Sequence, residues 1–111
     1  MGNSRVMCRA RQGVTAPLVE VETHLGPGLP GFNVVGLPET AVREARDRVR
    51  SAISNSGYQF PQQRITVNLA PADLPKSGGR YDLAIAVGIL SASKQVPTPG
   101  QEMVLVAELA L

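Results

Sequence analysis

The sequence predicts an α+β domain: a mixed β-sheet with two helices packed on one face. Three observations carry this. Leu18–Leu25 and Arg64–Leu69 alternate apolar and polar residues, the period of a strand with one face buried. The stretch opened by Leu37-Pro38-Glu39 repeats its apolar residues at helical spacing. From Leu83 to Leu90 nearly every residue is apolar, so that segment must be a helix covered on most sides.

Taken in order, Arg5–Ala10 is a short first strand. In the second, Val19, Val21, Thr23 and Leu25 share one face while Glu20, Glu22 and His24 share the other. GPGLPG (Gly26 to Gly31) is a loop, and Phe32–Gly36 resumes as strand, so these two segments are expected to pair as a hairpin. In the first helix, proline suits the first turn and Glu39 complements the positive end of the dipole. Val42, Ala45, Val49, Ala52 and Ile53 form its apolar face, and Asn55-Ser56-Gly57 stops it. Glu39–Arg43 and Glu44–Arg48 stand four apart in the favoured order. After the strand from Arg64, Pro71 and Pro75 keep the loop irregular. Pro97 and Pro99 follow the apolar helix, and a last strand starts near Met103. That strand runs to Leu111 without a turn, the expectation for a fragment of a longer protein.

At 111 residues the chain is a single domain (1–111), able to bury roughly two thirds of its unfolded surface. Its 43% hydrophobic and 18% charged residues argue against disorder. A net charge of +2 permits contact with nucleic acid without requiring it. With no tryptophan and four aromatics, base stacking has few platforms, which counts against a stand-alone RNA-binding module. The lone Cys8 excludes an internal disulfide, and its place on a strand beside Val6 reads as a small buried hydrophobe. No apolar run approaches bilayer thickness, so no membrane partner and a cytoplasmic setting are expected.

Several motifs lack the chemistry their spacing suggests. Gly26, Gly28 and Gly31 spell G-x-G-x-x-G, yet Pro27 and Pro30 remove amide donors and strand follows instead of helix. Lys76-Ser77 is preceded by Pro75 and Ala70 where a phosphate-binding loop needs glycines. Glu20, Glu22 and His24 stand about 7 Å apart along a strand, too spread for one ion, and read as a solvated face. Asp82, in the first turn of the apolar helix, is explained by capping and by the helix dipole. No serine–histidine or paired-carboxylate arrangement is visible. What remains is a basic loop carrying Lys76 and Arg80, and a stripe of Arg43, Arg46 and Arg50 in one sector of the first helix.

VGLPETAVREARDRVRSAI (Val35 to Ile53) and ITVNLAPADLPKSGGRYDLAIAVGIL (Ile65 to Leu90) resemble the N-terminal domain of the ComM/YifB family. These are bacterial AAA+ ATPases, also labelled magnesium-chelatase-like or competence proteins. The resemblance covers essentially the whole chain. It implies a Lon-protease-like, ribosomal-protein-type fold, and a parent protein acting on DNA as a hexamer, in branch migration during natural transformation. ATP and Mg²⁺ would bind the parent's downstream ATPase domain, with no cofactor or metal in this part. In Lon-type proteases the corresponding loop reads P-K-D-G-P-S-A-G and its serine is the nucleophile. Laid on Pro75-Lys76-Ser77-Gly78-Gly79-Arg80, that place is taken by Arg80, whose guanidinium cannot attack a peptide bond. The expected role is therefore a non-catalytic accessory domain, its partners being its own ATPase domain, neighbouring subunits and DNA. Arg43, Arg46, Arg50, Lys76 and Arg80 are the candidate contacts. The alternatives are a latent peptidase using Ser77 and a metal-chelatase subunit.

Overall fold

The computed structural model describes residues 2–9, 18–71, 79–100, 103–105, 107 and 109. The elements run β1 (Gly2–Arg9), β2 (Leu18–Gly26), β3 (Gly31–Val35), α1 (Glu39–Asn55), β4 (Arg64–Ala70) and α2 (Asp82–Ala92). The strands form one mixed sheet in the order β1-β2-β4-β3, with β1/β2 and β2/β4 antiparallel and β3/β4 parallel.

Alternation along the strands builds the core on one side. Val6 and Cys8, Val19 and Val21, Phe32, and Ile65, Val67 and Leu69 all turn to the helices and are buried. α1 presents Val42, Ala45, Val49 and Ile53 to this layer, the face its spacing predicts. α2 is enclosed nearly all round, with Ala84, Ile85, Gly88 and Ile89 among its buried residues. It packs over β1 and β2 and beside α1. Both helices thus cover one face of the sheet, as expected. The fit over β1 and β2 is close enough that a Cβ on Gly88 would lie 2.6 Å from Thr23 Oγ1. The Ser4 hydroxyl fills the same contact, donating to the Gly88 carbonyl at 2.6 Å.

The expected β2–β3 hairpin does not form. Gly26 and Gly31, at the two ends of the GPGLPG loop, both face Arg64, so β4 lies between the strands. Four residues carrying Pro27 and Pro30 straddle one strand, a span of about 9.5 Å, instead of closing a tight turn. β4 carries three large apolar side chains on one face, and its insertion buries Ile65, Val67 and Leu69 at the centre of the sheet.

Both helices end in the same motif. In α1, Gly57 sits at φ 85° while Tyr58 and Gly57 donate to the Ile53 and Ser54 carbonyls. In α2, Lys94 takes this position at φ 62°, with Gln95 and Lys94 donating to Leu90 and Ser91. α2 therefore stops well before Pro97. Gln95 then ties the two endings together, its side-chain amide accepting from Gln59 N at 2.9 Å and donating to Gln59 O at 2.8 Å.

Candidate functional site

The resemblance to Lon-type proteases implies a nucleophile's place at the entrance of α2. There the Arg80 side chain donates from Nε to the Arg9 carbonyl at the end of β1, at 2.7 Å. The Arg80 carbonyl accepts the Ala107 amide at 3.2 Å, and Ala107 in turn accepts from Leu83 N at 3.1 Å. Arg80 thus fastens strand end, helix entrance and C-terminal segment. Lys76 and Ser77 lie outside the described residues.

Cys8 and Tyr81 are buried beneath Arg80. The Cys8 thiol approaches the Arg80 carbonyl at 3.7 Å. Burial pushes its pKa up, against opposing effects of a backbone hydrogen bond from Arg9 and the Arg80 charge. Burial likewise raises Tyr81, helped by Cys8 and opposed by Arg80. Among the described residues the Tyr81 hydroxyl has no hydrogen-bond partner. The thiol is held in its inert, protonated form, in accord with the reading of Cys8 as a small hydrophobe.

Next to the entrance, Asp82 does more than the sequence expectation gives it. Asp82 is 1% exposed, and Arg48 reaches it from α1 with two bonds, Nε–Oδ2 at 2.6 Å and Nη2–Oδ1 at 3.3 Å. Its carboxylate also accepts the Leu109 amide at 3.1 Å. The N-cap position falls to Tyr81, which makes no side-chain cap bond. Capping and dipole complementarity therefore do not explain Asp82. It joins α1, α2 and the C-terminal segment. The signal was present in the sequence: a carboxylate set into an all-apolar helix needs a buried cation.

The arginine stripe lies on the opposite flank of α1. Arg46 Nη1 donates to the Phe32 carbonyl of β3 at 3.1 Å. Arg50 stacks its guanidinium 4.8 Å above the Phe60 ring, and that ring leans on Phe32 with centroids 5.5 Å apart. Arg43 is exposed. Phe32, Arg46, Asp47 and Arg50 line a groove of about 250 Å³. Arg50 also lines a second groove, about 410 Å³, with Pro30, Gly31, Ser54, Phe60 and Pro61.

The candidate residues do not converge. Arg46 serves the β3 edge and Arg80 the β1 edge, with β2 and β4 between them. Three strand spacings separate those edges by about 14 Å. On the outer face, Arg5 bridges Glu20 at 2.7 Å and Glu22 at 2.9 Å, and His24 Nδ1 meets Asn3 Oδ1. The two carboxylates thus have a cation of their own on an exposed face.

A mixed sheet covered on one side by two helices, with arginines at its edges, defines the class: a small α+β domain with cationic margins. The chain belongs to the family described as subunit ChlI of Mg-chelatase, whose profile matches residues 21–111. It is 63% identical over 107 residues to the uncharacterized protein YifB of Salmonella typhimurium, covering 96% of this chain and 21% of that protein. It is 61% identical over 112 residues to YifB of Escherichia coli, covering 100% and 22%. The competence protein ComM of Haemophilus influenzae is 60% identical over 107 residues, covering 96% and 21%. These are the ComM and YifB proteins that the sequence resembles. The chain spans about a fifth of the length of these relatives.

Proposed function

We propose that this chain is a non-catalytic accessory domain of a magnesium-chelatase-like AAA+ ATPase of the ComM type, acting in DNA processing. In that reading the parent protein is cytoplasmic and hexameric, binds ATP and Mg²⁺ through residues outside this chain, and serves branch migration in natural transformation. The domain shapes subunit packing or guides DNA near the motor.

One observation carries the non-catalytic part: the side chain at the nucleophile's place is a guanidinium already bonded to the Arg9 carbonyl. It has no lone pair to offer a carbonyl carbon, and its bonding partners are structural. A full-length protein that cleaves peptides, and loses that activity in Ser77→Ala, would overturn this. The contact role is tested by replacing Arg43, Arg46 and Arg50 together by Ala in the full-length protein. The expected result is weaker DNA binding with a shallower salt dependence, or fewer hexamers. Unchanged affinity, salt slope and hexamer population would remove the arginines from the function.

A further inference from the structure

We infer that the free edge of β3 is a docking site for an extended acidic peptide, which adds to the sheet as a strand while its carboxylates meet Arg43, Arg46 and Arg50. This rests on the reading of those arginines as contact residues and says which partner they meet.

The edge follows from the ladder. Gly31 N donates to Gln63 O, so the alternation of a parallel pair points the backbone groups of Gly31, Asn33 and Val35 at β4. Those of Phe32 and Val34 point away from it, and among the described residues β3 is the last strand of the sheet. Such an edge is a template for another chain. Among the described residues, Arg46 guards it by capping the Phe32 carbonyl. A guanidinium released to a carboxylate gains a charge-assisted partner and uncovers that carbonyl for an incoming amide. Arg46 is therefore both guard and receptor.

The choice of an acidic peptide over nucleic acid rests on two features. The outward edge offers carbonyl acceptors as well as amide donors, and phosphates can satisfy only the donors. The arginine row is also interrupted by Asp47 and Glu39 in the same helical sector, so it suits spaced carboxylates better than a continuous polyanion. A second copy of the domain paired through β3 would bring two such arginine rows together, which like-charge repulsion opposes.

The test titrates the protein, by heteronuclear NMR and calorimetry, with an alternating glutamate–valine decapeptide. The decapeptide should bind and shift the Phe32 and Val34 amides. Its analogue N-methylated at every second residue, with the same charge but fewer donors, should bind about tenfold more weakly. Arg43→Ala with Arg50→Ala, both at exposed positions, should weaken the parent peptide by a similar factor. Equal binding of the N-methylated analogue, shifts confined to the outer face of the sheet, or no binding at millimolar peptide would overturn the proposal. So would a mixed-sequence DNA duplex that binds more tightly than the peptide and shifts the same amides. The peptide reads this edge alone. The triple-alanine test in the full-length protein reads the wider role, so either can fail without the other.

Discussion

At the β1 edge, the Met7 carbonyl takes the Leu105 amide at 3.0 Å, Val104 pairs in parallel with Met7, and Arg80 takes the Arg9 carbonyl. At the β3 edge, the only such bond among the described residues is Arg46 to Phe32 O. Both edges use an arginine, but to different ends. Arg80 sits among buried groups and chain that the molecule supplies itself, whereas Arg46 stands over backbone with no strand beyond it among the described residues. The same side chain type is architecture on one side and an available charge on the other. A partner is to be sought at β3.

The largest way to break the comparison is at the closed side. Asp82→Ala removes the buried carboxylate that Arg48 meets and the acceptor for Leu109 N, and should cost about 1.5–3 kcal/mol, read from the urea midpoint. A loss under about 1 kcal/mol would mean that the pair does not hold the helices to the C-terminal segment.

Gly88→Ala drives a Cβ into Thr23 and should cost about 1–2 kcal/mol, since overpacking outweighs the better helix propensity. Removing the obstacle in Gly88→Ala/Thr23→Ala should recover most of that loss in thermal unfolding. Additive penalties would show that the helix and sheet are not in contact there.

Arg46→Ala should change stability by less than about 1 kcal/mol, yet promote self-association through the uncovered edge, measured by light scattering. The equivalent loss at the closed edge, Arg80→Ala, should lower stability without promoting association.

Alkaline pH should act on the closed side as well. The folded pKa values of Cys8 and Tyr81 lie above their ordinary values of 9.0 and 10.0. Their contribution is therefore complete below pH 9 and is lost as pH rises through the folded values. Tyr81→Phe should flatten that decline and leave stability at neutral pH equal or higher, because the hydroxyl it removes has no partner among the described residues. A larger alkaline loss in Tyr81→Phe would contradict the assignment. The smallest effect belongs to Lys94→Gly, which should gain about 0.5–1 kcal/mol by relieving its positive φ.

The elements themselves were legible because their periods are local. Glu39–Asn55 begins and ends where proline, glutamate and glycine place it, and β2 and β4 follow their alternation. Pairing was not legible in the same way. Two adjacent strands joined by a glycine-rich loop read as a hairpin, and nothing local shows that a strand over thirty residues later will enter between them. The end of α2 was hidden because a lysine, not a glycine, adopts the left-handed position. At the site, the arginine residues were visible but their different employment was not. Arg48 looks like a surface partner for Glu44 until the fold brings Asp82 across from it. Arg46 and Arg80 become distinguishable once each is seen against its own edge of the sheet.

The most direct measurement is native-state amide hydrogen exchange at Leu105 and Val34. Leu105 N is bonded across the β1 edge and Val34 N faces outward from β3, so Leu105 should exchange only through large-scale opening and Val34 far faster. A protected Val34 beside a freely exchanging Leu105 would reverse the two edges and contradict the account.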